Sequence, residues 1–201
     1  MSGGPQVPAS RRRRGGLVAR MAPILVLVAA MWLLEILDAV AAAPLDAFGI
    51  IPRTDEGLFG IAFAPFLHLG FGHLMANTVA LLVLGALVLL TSPYFWVVTV
   101  SVGLFGGLGV WLTGDPRTVV IGASGLVYGY AAYLVALGLF RRSVVNLLVA
   151  LLVVVLYGGL VFGVLPVRAG VSWQGHLFGA VIGIAMARWH AKNAPRRSWR
   201  G

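Results

Sequence analysis

At 201 residues, with 60% hydrophobic and only 10% charged side chains, the chain is too apolar for a soluble domain, which would carry about 25% charged residues. Its hydrophobic residues come in long runs rather than amphipathic stripes, so the solvent they fit is a bilayer. The lack of cysteine excludes a disulfide framework, a thiol nucleophile and cysteine metal ligands; the +9 net charge sits at helix ends and tails, which suits anionic lipid headgroups rather than nucleic acid.

In chain order, residues 1–20 form a basic tail rich in Gly, Pro, Ser and Arg, expected to be disordered near the headgroups. The first apolar span covers about 21–43. A long link follows, about 44–72, with Asp46, Asp55, Glu56, Pro52 and Pro65; a loop of that length usually has a role of its own. The second span is about 73–90, the third about 94–112, the fourth about 124–140, the fifth about 144–165 and the sixth about 174–189. Each is close to the roughly 17–25 residues a helix needs to cross the hydrocarbon core. The shorter links carry turn residues: Ser92-Pro93, Gly114-Asp115-Pro116, Arg141-Arg142 and Leu165-Pro166. Residues 191–201 are a second basic tail. The expected architecture is one all-α membrane domain over 21–190, a bundle of six transmembrane helices.

Lys and Arg set the orientation. Twelve of the fifteen precede the first span, separate the fourth from the fifth, or end the sixth; Arg53, Arg117 and Arg168 lie on the other side. The positive-inside rule then puts both termini in the cytoplasm, as an even number of spans requires. A secretory signal is the competing reading, because the basic run at 11–14, an apolar stretch and AVAAAP at 39–44 resemble one. The stretch is longer than the roughly 7–15 residues of a signal core. Glu35 and Asp38 also interrupt it, and its loss would leave five spans.

The unusual polar residues gather at one depth. The second, fourth and sixth spans run in the same direction, and their N-terminal ends carry His73 and Asn77, then Gly122-Ala123-Ser124-Gly125, then His176. At about 1.5 Å per residue, all fall roughly within two turns of the outer helix ends. Ionisable groups in a membrane are costly unless paired or hydrated, which makes them functional candidates. His73 and Asn77 share a helix face at i and i+4, as do Ser124 and Tyr128. His68 lies in the chain that leads into the helix. Gly179 and Gly183 follow His176 on its own face, and Gly125 and Gly129 offer a matching strip. Two such strips let helices approach closely and would bring Ser124 beside His176. A serine beside a histidine, at a helix N-terminus with N–H donors nearby, is an activated nucleophile with an oxyanion hole. Each feature also has a plainer explanation. A lone GxSG is usually helix packing, and a histidine at a helix mouth often snorkels to the interface or bonds a carbonyl.

The ordered set resembles the rhomboid family of intramembrane serine proteases. The match is H-x4-H-x3-N at His68, His73 and Asn77, G-x-S-G-x-x-Y at Gly122, Ser124, Gly125 and Tyr128, and H-x2-G-x3-G at His176, Gly179 and Gly183. Order, spacing and host spans resemble the six-span bacterial form over about residues 44–189. The resemblance implies that Ser124 attacks the scissile carbonyl and that His176 is its general base and then the acid for the leaving amine. It implies that Tyr128 stacks against His176, and that His73, Asn77 and the Ser124 backbone N–H donate to the oxyanion. It leaves His68 structural and gives Gly122 and Gly125 the shaping of the loop and helix start. None of the six acids, Glu35, Asp38, Asp46, Asp55, Glu56 and Asp115, is placed to orient the histidine, so a dyad is expected. No metal or cofactor is implied. The expected substrates are transmembrane proteins cut in or near their membrane segments. The expected location is the bacterial plasma membrane, multi-pass, with the active site toward the outer leaflet. One feature departs from the family: many rhomboids carry a Trp-Arg pair in the first outer loop, whereas this loop has no Trp and only Arg53, after Pro52.

Other classes are weighed by their residues. A non-catalytic relative that binds membrane-protein clients would usually lack the serine or histidine, and both are present. Glu35 and Asp38, at i and i+3, could mark an ion route, but a place near the outer end of the first span explains them. A zinc protease wants H-E-x-x-H, which is absent. An aspartyl type wants GxGD, and Gly114-Asp115 lies in a turn without the first glycine.

Overall fold

The computed structural model describes residues 16–41, 44–167 and 170–193. Residues 1–15 and 194–201 of the basic tails, Ala42 and Ala43 of the AVAAAP stretch, and Arg168 lie outside them, while Leu17–Arg20 and Ala191–Asn193, expected in the tails, are helical as parts of the first and last helices. Among the described residues the secondary structure is helical with no strand, and one antiparallel bridge joins Ile50 to Val120. The α-helices are α1 (Leu17–Ala41), α2 (Asp55–Phe63), α3 (Gly70–Thr91), α4 (Phe95–Thr113), α5 (Ser124–Arg141), α6 (Val144–Tyr157) and α7 (Trp173–Asn193).

Among the described residues, four stretches are long and apolar enough to cross a membrane: Val18–Ala41, Gly70–Thr91, Phe95–Thr113 and Val144–Val164. The helices α5 and α7 fall short for a physical reason. Both pack closely on other helices, and their contact faces carry small and polar residues. Tyr128, Tyr130 and Tyr133 of α5 are buried, as are His176 and His190 of α7.

The six long helices alternate in direction. Ile24 and Trp32 of α1 meet Gly85 and Thr78 of α3, an antiparallel pair. Gly125 and Gly129 of α5 meet Gly179 and Gly183 of α7, a parallel pair. A Cβ on Gly179 or Gly183 would run into the Gly125 or Gly129 carbonyl, so only glycine permits this approach. The main core lies between α1, α3, α4 and α5, with Met31, Leu81, Leu84, Val98, Tyr130 and Leu134 among its fully buried members. Polar groups inside it are satisfied across helices. Trp32 Nε1–H donates to Thr78 Oγ1 at 3.0 Å, and Tyr130 Oη lies 2.6 Å from Thr99 Oγ1. At the end away from Ser124, Arg141 Nη1 donates to His190 Nε2 at 3.0 Å, and Tyr133 Oη–H donates to Ser92 Oγ at 2.8 Å. That network holds α5, α7 and the α3–α4 turn in register.

The long link is structured. It contains α2 and 3-10 turns at Leu45–Phe48 and Ala64–Phe66. Thr54 caps α2 by accepting from the Gly57 N–H at 3.0 Å. A tryptophan of α4 is hydrogen-bonded to this link. Trp111 Nε1–H donates to the Thr54 carbonyl at 2.8 Å, and the Arg53 N–H donates to the Trp111 carbonyl at 3.1 Å. These bonds hold Arg53 at φ 59, a left-handed conformation rare for a side-chain-bearing residue.

The fifth span covers the expected residues, Val144–Val164, but changes its winding on the way. The α-helix stops at Tyr157, and Gly158–Val164 winds as a 3-10 helix. Two adjacent glycines, Gly158 and Gly159, weaken the α-helical ladder there.

Candidate active site

The site is assembled where α3, α5 and α7 begin. The chain turns into α3 through Gly70, at φ 82. His73 Nδ1 accepts the Leu69 N–H at 3.3 Å, which leaves the proton of the neutral ring on Nε2. Asn77, one turn on, is 5% exposed and donates through Nδ2 to the His73 carbonyl at 3.0 Å.

The loop before α5 is fixed at several points. Ile50 and Val120 exchange backbone hydrogen bonds at 2.9 Å, and the Gly122 N–H donates to the Ala64 carbonyl at 2.8 Å. Gly122 has φ 109, which side-chain-bearing residues rarely adopt. A Cβ there would also stand 2.6 Å from His73 Cε1 and 2.9 Å from His73 Nε2. The His73 ring therefore lies flush against the loop that presents Ser124.

His68 braces that loop from behind. It is 1% exposed, its Nδ1–H donates to the Phe66 carbonyl at 3.3 Å, and its Nε2 accepts the Ala123 N–H at 3.4 Å. Burial, and then the neighbouring His73, push its pKa down to about 4. The ring thus stays neutral at pH 7, as an accepting Nε2 requires.

Ser124 opens α5, and Ala123 at the cap provides no side-chain acceptor for the helix's first N–H groups. Ser124 Oγ lies 2.9 Å from His176 Nε2. On the far edge of the ring, His176 Nδ1 lies 2.8 Å from the Gly163 carbonyl. A carbonyl only accepts, so Nδ1 carries the hydrogen and Nε2 offers its lone pair to the serine hydroxyl. Tyr128 stacks on the same ring, with centroids 3.9 Å apart and planes 5° from parallel. A cavity of about 330 Å³ opens onto this arrangement, lined by His73, Asn77, Gly122, Ser124, Gly175 and His176 among others.

Of the residues singled out by sequence, Ser124, His176, Tyr128, His73, Asn77 and Gly122 stand together around the cavity or against its walls. Gly125 also lines the cavity and meets Gly179 where α5 and α7 approach, and Gly183 lies lower down on the same seam. His68 lies behind the loop. Three contacts escaped the sequence: the Leu69 N–H on His73, the Ala123 N–H on His68 and the Gly163 carbonyl on His176. All are backbone groups; every residue carries the C=O and every residue except proline the N–H, so no residue type announces them. An oriented hydroxyl–imidazole pair beside N–H donors can add the hydroxyl to a carbonyl.

The Rhomboid domain family matches residues 55–193. An "Uncharacterized protein" of Mycobacterium tuberculosis (strain ATCC 25618 / H37Rv) is 41% identical over 210 residues, covering 99% of this chain and 86% of its own length. Another of Mycobacterium leprae (strain TN) is 40% identical over 209 residues, 98% of this chain and 80% of its own. "Putative rhomboid protease YdcA" of Bacillus subtilis (strain 168) is 26% identical over 125 residues, 60% of this chain and 61% of its own.

Proposed function

The chain belongs to the rhomboid family, and from that premise we propose that it is an intramembrane serine endopeptidase acting through Ser124 and His176. The observation that carries the reading is the 2.9 Å contact between Ser124 Oγ and His176 Nε2, in a cavity shared with His73 and Asn77.

The chemistry follows from the atoms. Ser124 Oγ attacks the scissile carbonyl carbon as His176 Nε2 takes the hydroxyl proton. The carbonyl oxygen becomes an oxyanion, and its donors are the His73 Nε2–H, the free amide hydrogen of Asn77 and the Ser124 backbone N–H. The C–N bond then breaks, and His176 returns its proton to the departing amine. Water adds to the acyl-enzyme as His176 takes its proton; the bond from the acyl carbon to Ser124 Oγ then breaks, His176 returns that proton to Oγ, and the acid leaves. Tyr128 holds the imidazole plane throughout. No cofactor is called for in these steps.

In this reading all six long helices cross the bilayer, including α5 and α7, and both termini are cytoplasmic. The site then opens toward the outer leaflet of a bacterial plasma membrane, where water reaches the cavity. The substrates are transmembrane proteins, cut in or near the membrane segment after local unwinding, since an intact helix bonds its own backbone. The basic tails bind anionic lipid headgroups. Cleavage of a fluorescent transmembrane substrate by the wild type and not by Ser124→Ala tests the proposal. Equal product from both would leave a non-catalytic, client-binding relative as the better account.

A further inference from the structure

In a serine triad a carboxylate accepts the second ring hydrogen of the histidine, fixing its tautomer and stabilising the imidazolium. Here that hydrogen goes to a backbone carbonyl, that of Gly163, at 2.8 Å. We propose that the 3-10 segment Gly158–Val164 is the third member of the catalytic set. Its Gly163 carbonyl orients His176 and stabilises it when it carries the proton, so a competent base exists only while this segment lies against α7. The proposal rests on the protease reading above and makes Gly163 a positioning residue.

Three further observations support it. The last carbonyls of a helix have no partners within it, and a helix C-terminus favours a cation; Gly163 is the penultimate residue of its segment. The position also demands glycine, because a Cβ there would run into the Tyr128 hydroxyl and come within 3.2 Å of His176 Nδ1. Finally, the segment is itself part of the cavity wall. None of its residues is buried, and α6 before it buries only Ala150 and Val153. Leu160 of the same segment lines the cavity. A wall of the site therefore carries the group that orients the base, which couples the wall's position to chemistry. The titratable side chains facing His176 are Tyr128 of α5 and His73 of α3; the sequences of α4 and of 158–164 contain none.

The test weakens the carbonyl without changing a side chain. Replacing Val164 by its α-hydroxy acid through nonsense suppression turns the Gly163–Val164 amide into an ester, whose carbonyl is a poorer acceptor. The same exchange at Val161 alters the Leu160 carbonyl instead and is the control. The Val164 ester should lower kcat about 10-fold with KM unchanged. The acid limb of its kcat/KM profile should move to lower pH, and fluorophosphonate labelling of Ser124 should slow in parallel. Gly163→Ala should be inactive for the steric reason above. A Val164 ester with the rate and the acid limb of the Val161 control would overturn the proposal. A wild-type protein that cleaves nothing would instead defeat the protease reading on which it rests.

Discussion

Replacing Asn77 by alanine separates transition-state stabilisation from binding. Asn77 is 5% exposed, lines the cavity and uses one Nδ2 hydrogen on the His73 carbonyl at 3.0 Å. Its other amide hydrogen is the one available to an oxyanion. Loss of one such donor costs about 2.7–4 kcal/mol in the transition state, or about 10²–10³ in kcat. The structural cost is smaller. The bond to His73 is a single neutral hydrogen bond, about 1 kcal/mol, equivalent to roughly 2–4 °C in Tm for a protein of this size. Substrate in its ground state has no oxyanion, so KM should change by less than about 3-fold. Steady-state cleavage of a fluorescent transmembrane substrate in proteoliposomes yields both constants, and thermal unfolding in detergent yields Tm. Asn77→Asp keeps the shape but brings a negative charge to the oxyanion, so its loss in kcat should be at least as large. A rise in KM at unchanged kcat would refute the reasoning and return Asn77 to a structural or binding role.

Two other expectations concern the scaffold. Gly183→Val places a side chain against the Gly129 carbonyl and should lower Tm while abolishing cleavage, with overpacking costing about 1–3 kcal/mol; a stable, active variant would contradict the close α5–α7 approach. His68 has a folded pKa of about 4, below the unfolded value of 6.5. Between those values the unfolded chain binds the extra proton, so stability is full above pH 6.5 and falls as pH drops toward 4. Tm measured against pH should show that decline, and His68→Gln should flatten it; a slope equal to wild type in the variant would assign the decline to another group.

Much of the fold is legible because lipid-facing helices must be continuously apolar. The runs that become α1, α3 and α4 carry few interruptions, and their helices begin and end within a few residues of the expected limits. The helices α5 and α7 are legible for a different reason: paired glycine strips and conspicuous polar residues stand out against an apolar chain. The short α2 was not foreseen, since nine residues within a proline-punctuated link give little periodicity. The break at Gly158 was not foreseen either, because glycine within an apolar run permits either winding. The side chains around the cavity come from motifs whose spacing places them on helix faces. The groups that orient them are main-chain N–H and C=O, and Trp111 steadies the link from a helix distant in sequence. Such contacts depend on tertiary approach, which no local pattern encodes.

The central claim, that Ser124 is a nucleophile activated by His176, is tested most directly by fluorophosphonate labelling read by peptide mass mapping. The account predicts one adduct, on Ser124, formed by the wild type in proteoliposomes and lost in His176→Ala. No adduct on Ser124, or labelling of His176→Ala at the wild-type rate, would contradict it.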